Sequence, residues 1–217
     1  MPVSLKFYQD QLLRSGISTT PLQEGHRIIY VRHGSIIANG TTLAKDQSAY
    51  QQKPLYLEGN AALSEIWRWE LSAPNETPNL ISGPDTLSLL KIAHVITTLD
   101  AEPGTNWLFR LDSVTSASGR ITPRHRHRGP GIRCLFQGTF NVQTEAHPPT
   151  NVSPGDAWWE SGEETVVAWH SKQMPAIFIR GLLLPLDNKG DMSNIWETKV
   201  ESTQSNWRLL IDQEITI

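Results

Sequence analysis

Histidine and arginine alternate through Arg124-His125-Arg126-His127-Arg128, and Arg133 follows shortly after. In a β-strand, side chains two residues apart share a face, so His125 and His127 point one way and the three arginines the other. Two imidazoles converging from one strand are half of a site for a divalent metal ion such as iron, manganese, nickel or zinc. The same two rings could instead be a hydrogen-bonded pair lining a barrel. Two histidines alone hold a divalent ion weakly, so a third donor is required. Glu160 is one candidate, because it shares a strand face with Trp158; a surface carboxylate is the competing assignment. The arginine face invites comparison with phosphate-binding strands. Against that, the net charge is -3 and no second basic cluster exists, so a solvated or paired face is expected and nucleic acid is not.

These residues need strands to carry them. The second half of the chain breaks into short apolar runs separated by turn signals such as Ser118-Gly119, Gly129-Pro130-Gly131 and Pro154-Gly155. Many short strands at such spacing predict an antiparallel jelly roll rather than a parallel sheet. In the first half, Arg27–Arg32 is β-branched and aromatic, and Asn39-Gly40 is a hairpin dipeptide. Ser4–Ser15, with Leu5, Tyr8, Leu12 and Leu13 ahead of Gly16, reads as a short amphipathic N-terminal helix. The Pro- and Asn-rich stretch 72–84 marks a boundary between halves. The expected organisation is an N-terminal half over 1–72, a C-terminal barrel over 85–185, and a tail over 186–217 that forms an edge strand or an exchanged segment.

Composition narrows the class. With 217 residues, 38% hydrophobic and 19% charged, the chain can bury a substantial core. One cysteine, Cys134, excludes an internal disulfide and fits a reducing compartment, where a buried, inert thiol is expected. No apolar run reaches the roughly 18 residues of a spanning helix, and Met1–Gly16 lacks the apolar core of a signal peptide. A cytoplasmic protein with no membrane partner is expected. Eight tryptophans are core fillers in the main, and some could wall a pocket.

The stretch from Gly119 to Gly138 resembles the first motif of the cupin superfamily: a glycine, five residues, His-x-His, three residues, a glutamate position, six residues, a glycine. Gly119, His125, His127 and Gly138 match; the glutamate position is Gly131. Pro154-Gly155-Asp156 is similar to the start of the second motif, whose histidine would fall at Val166. The resemblance therefore carries two of four usual ligands. It also brings in His170, which keeps the strand parity of the missing histidine, as a further ligand candidate beside Glu160. Tyr30-Val31-Arg32-His33-Gly34 parallels Cys134-Leu135-Phe136-Gln137-Gly138, so the first half is similar to a second, degenerate copy without His-x-His.

The resemblance implies an all-β fold, a double-stranded β-helix (jelly roll) bicupin with one bare barrel and one functional one. It implies a divalent metal cofactor and small-molecule chemistry on a carboxylate or enolisable substrate, with dioxygenase activity first and isomerase or lyase activity second. Arg133 falls where the missing glutamate would point. A guanidinium there needs an anion, either a substrate carboxylate or Glu160, in which case both are structural. Trp158 or Trp169 would wall the site. Arg110 and Arg180 sit in strand-like segments and could point inward, although strand-end arginines are more often solvated. Loss of two ligands also suits a non-catalytic cupin that binds or senses a small ligand, or a scaffold. A homodimer paired through sheet edges is expected, with Trp196 and Trp207 covering such an edge.

Overall fold

The computed structural model describes residues 2–13, 16–97, 104–145, 147–148, 150–198 and 205–217. It divides into two units, Met1–Asp100 and Ala101–Ile217. Among the described residues every regular element is a strand apart from one 3-10 turn at Leu186–Asn188. The all-β expectation holds.

In the first unit β1 is Val3–Leu13, β2 Arg27–His33, β3 Ser35–Ala38, β4 Thr41–Ala44, β5 Ser48–Gln51, β6 Leu57–Gly59, β7 Leu63–Ser72 and β8 Thr86–Ile96. One sheet runs β5-β2-β7-β1-β8 and the other β4-β3-β6. In the second unit β9 is Asn106–Ser116, β10 Ile121–His127, β11 Gly131–Gln137, β12 Phe140–Thr144 and β13 Thr150–Val152. It continues with β14 Ala157–Glu160, β15 Val166–His170, β16 Ala176–Pro185, β17 Asn194–Trp196 and β18 Ser205–Thr216. Its sheets run β14-β11-β16-β9-β18 and β13-β12-β15-β10-β17.

The two larger sheets have the same order once β5, β2, β7, β1 and β8 are matched to β14, β11, β16, β9 and β18. Each also carries a buried arginine–aspartate pair between corresponding strands, at different register. Arg68 on β7 meets Asp10 on β1 at 2.9 Å, and Arg180 on β16 meets Asp112 on β9 at 2.6 Å. The remaining sheets differ, three strands in the first unit and five in the second. Among the described residues the first unit has no strand equivalent to β10, which carries the histidines. Its corresponding segment makes only isolated bridges, Ile17 with Glu58 and Leu22 with Leu55. The space is filled instead by Leu12, Leu22, Ile29, Val31, Ile66 and their apolar neighbours. Around Arg68 lies a buried network: Glu70 bridges Arg27 and Arg68, and Asp10 takes the other side of Arg68. Buried charges persist only when each is paired, as here. In the first barrel Arg27, Arg68, Asp10 and Glu70 are therefore committed to one another.

The expected N-terminal helix is not formed; Val3–Leu13 is β1. Leu5, Tyr8 and Leu12 suit helical spacing, but Val3, Leu5 and Phe7 also alternate at period two. β1 is a central strand, hydrogen-bonded by β7 on one side and β8 on the other, so Lys6, Tyr8 and Asp10 are buried as well. Tertiary pairing outweighs local helical spacing in so short a segment. Residues 14 and 15 of the expected helix lie outside the described residues. Two further placements refine the expected layout. Thr86–Ile96 pairs with β1 in the first unit, and the tail contributes β17 beside β10 and β18 beside β9 in the second. Among the described residues no helix is long and apolar enough to cross a membrane.

Candidate functional site in the second barrel

β10 shows the alternation its sequence demands: His125 and His127 are buried, while Arg124, Arg126 and Arg128 are exposed. The outward arginines meet acidic neighbours, Arg124 with Glu197 and Glu145 and Arg128 with Asp187. The two imidazoles lie 5.0 Å apart, centroid to centroid, at 87°. Each is oriented through Nδ1: that of His125 is 2.8 Å from the Pro123 carbonyl and that of His127 is 3.1 Å from Ser193 Oγ. The carbonyl can only accept, so His125 carries its proton on Nδ1 and leaves a lone pair on Nε2. Burial keeps both rings neutral, and it pushes His127 down to about 3.

Glu160 completes the group. It is the cross-strand partner of Gly131, the position where the resembled motif has its glutamate. A Cβ at Gly131 would stand 2.5 Å from the Gly181 carbonyl oxygen, so no side chain fits there. A carboxylate therefore reaches this row from β14 instead of β11. Glu160 Oε1 accepts from Trp158 Nε1 at 2.8 Å. Its Oε2 lies 2.9 Å from Arg133 Nη2 and 3.1 Å from His127 Nε2, yet neither contact has hydrogen-bond alignment among the described residues. Burial pushes the carboxyl up, but the Arg133 guanidinium, the neighbouring His127 and the Trp158 indole N–H outweigh it and hold Glu160 ionised, below the usual carboxylate range. Burial lowers Arg133 to about 10, still a cation at neutral pH.

These side chains share a cavity with His170, Arg180, Trp196 and an aromatic wall of Phe140, Trp158 and Phe178. The expected Trp169 does not line it; it occupies the opposite face of β15 from Ala168 and His170. His170 lines the cavity but stands away from His125. The His170 N–H donates to the Arg120 carbonyl, whereas His125 pairs with Val166. Val166 and His170 stand four residues apart on β15, roughly 13 Å of strand, and His170 Nε2 lies 3.3 Å from Thr122 Oγ1. The tail contributes residues that the sequence reading missed: Ser193 on His127, and Trp196, whose ring lies 5.0 Å from that of His125. Nothing in the polar loop 187–193 signals this role, and only the β10–β17 pairing reveals it.

No family model and no curated protein matches this chain. Solved structures do. A *Lactobacillus farciminis* oxalate decarboxylase in complex with formate matches at TM-score 0.61 with 10% identity, over 88% of this chain and 79% of that one. AerE from *Microcystis aeruginosa* matches at 0.59 with 12% identity, over 83% and 88%. The chain has the bicupin fold. A *Bacillus subtilis* oxalate decarboxylase at pH 4.6 also matches, at 0.58 with 12% identity, over 89% and 70%. The matched span takes in both units, so the bicupin expectation is met for the fold, and the second barrel holds the histidine-lined cavity.

The donors of the second barrel can be tested against a divalent metal. Among the described residues no three of the usual donors already converge as a metal cluster. Two are placed: two bonds of about 2.1 Å at a right angle put ligand atoms roughly 3 Å apart, which is the Nε2 to Oε2 separation of His127 and Glu160. Glu160 Oε2 is a buried, ionised oxygen without an aligned donor. His125 stands beside them with its Nε2 lone pair available. His127 and Glu160 are thus at the separation of two adjacent ligands of a divalent ion.

His170 has a separate consequence. Burial and Arg120 lower it to about 4, so it is neutral in the fold. Between about pH 6.5 and 4 the unfolded chain binds a proton at His170 that the folded chain does not. Stability therefore falls on acidification through that window. A His170→Gln variant is expected to show a shallower loss of Tm between those pH values; an unchanged slope would remove His170 from the account.

Proposed function

We propose that the second barrel is a metal-dependent small-molecule site in which His125, His127 and Glu160 hold a divalent ion, iron, manganese, nickel or zinc, and the substrate is a small carboxylate. The observation that carries this is the buried Glu160 Oε2, 3.1 Å from His127 Nε2 and unaligned with any donor. Two imidazoles and one carboxylate leave coordination positions open for substrate. When bound, the ion supplies Lewis acidity or a place for a second reactant. The chain's own residues orient the histidines through Pro123 and Ser193, keep them neutral by burial, and enclose the substrate with Phe140, Trp158 and Phe178.

Dioxygenase-type activity is the first to assay. Lyase activity is the second, and the decarboxylase names of two structural neighbours support it. A metal-free ligand binder is the alternative reading, favoured by the Arg133 guanidinium that already neutralises Glu160. Titration of chelator-treated, untagged protein with Mn²⁺ separates the two. One saturable site, weakened at least tenfold by Glu160→Gln, is expected; heats equal to dilution would favour the metal-free binder.

A further inference from the structure

The carboxylate proposed above needs a cation to receive it, and the sequence offers Arg133. In the structure Arg133 is committed elsewhere. Its Nη2 faces Glu160 at 2.9 Å, and its Nη1 donates to the carbonyls of Gly131 at 2.5 Å and Glu160 at 3.3 Å. Its cross-strand partner is Arg180, which is 3% exposed and lines the same cavity. Two buried arginines therefore stand side by side on neighbouring strands, an arrangement that costs stability unless anions separate them.

Arg180 is held differently. Asp112 takes its Nε at 2.6 Å and its Nη2 at 2.9 Å, a forked pair that fixes the guanidinium plane from behind. Asp112 is itself positioned by the indole N–H of Trp207, 3.0 Å away, which reaches in from β18. Among the described residues Arg180 Nη1 has no hydrogen-bond partner. We propose that Arg180, not Arg133, binds the carboxylate of the ligand, with Asp112 and Trp207 as positioning residues and Arg133 as the fixed counter-ion of Glu160. This rests on the anionic-ligand reading and names the residue that enforces it. The cavity volume of about 60 Å³ has room for a few waters, at about 15 Å³ each, and suits a small carboxylate such as acetate.

The experiment is acetate binding to untagged protein, read by tryptophan fluorescence and calorimetry, with acetamide as the uncharged isostere. Metal content and far-UV circular dichroism are measured on the same samples. Acetate should bind in the millimolar range and acetamide at least about tenfold more weakly. Arg180→Gln should weaken acetate at least about tenfold with metal content unchanged. Asp112→Asn and Trp207→Phe, which leave the Arg180 charge in place but loosen its plane, should weaken it about threefold or more. Acetate affinity within twofold of wild type in Arg180→Gln, or equal binding of acetamide, overturns the assignment. If Arg180→Gln does not fold, Arg180→Lys decides: a lysine with full wild-type affinity overturns the forked site, and a fivefold loss supports it. A protein free of metal that still binds acetate through Arg180 ends the metal reading and leaves this one standing. Metal-loaded protein indifferent to Arg180 does the reverse.

Discussion

Glu160→Leu is expected to destabilise the second unit by about 3–5 kcal/mol, because it leaves the Arg133 guanidinium buried without its counter-ion. Arg133 is 1% exposed and Glu160 6% exposed, so the lost carboxylate leaves a buried cation. The remaining Arg133 donors reach only two backbone carbonyls. In the double variant Arg133→Met, Glu160→Leu both charges are gone and the space is filled by apolar groups of similar volume. Such replacements of buried ion pairs are often neutral or stabilising, so most of the loss should be recovered. Urea denaturation of the four proteins in the cycle gives the coupling, expected to exceed about 2 kcal/mol. The double variant should be stable and yet bind no metal, which separates the structural role of Glu160 from its role as a ligand. A Glu160→Leu protein as stable as wild type would show that Arg133 finds its counter-ion elsewhere.

Much of this site is written in the order of residue types along β10. Period-two alternation places His125 and His127 inward and three arginines outward, because a pleated strand permits nothing else. Glu160 and Trp158 follow by the same parity on β14. What parity cannot give is the neighbour across the sheet. That Glu160 stands opposite Gly131, and so takes over the row of an absent glutamate, depends on the β11–β14 register. The register between β11 and β16 likewise sets Arg180 beside Arg133. Trp169 shows the limit in the other direction. It was selected for its chemistry, but its own parity, one residue from His170, turns it to the opposite face. His170 has the right parity and the wrong height, because four positions along β15 carry it past Thr122.

The N-terminal strand fails legibility for a different reason. A segment buried on both faces shows no clean period, and its few apolar residues satisfy a helical template as readily as a strand. The apolar core of the first barrel is more readable in retrospect, because a half without His-x-His places leucine, isoleucine and valine there. The arginine-carboxylate network of Arg27, Arg68, Asp10 and Glu70 could not be read from spacing, since its members come from three strands.

The second large effect concerns the histidines themselves. Truncating both removes His127, whose Nε2 adjoins Glu160, and His125 beside it, and a lone carboxylate already facing Arg133 does not retain a divalent ion at working concentrations. Elemental analysis of untagged protein purified without chelator measures this directly, with wild type and the His125→Ala, His127→Ala double variant prepared in parallel. The account predicts close to one equivalent of a divalent transition metal in the wild type and less than about a tenth of that in the variant. Wild-type protein carrying no more metal than the variant would contradict it.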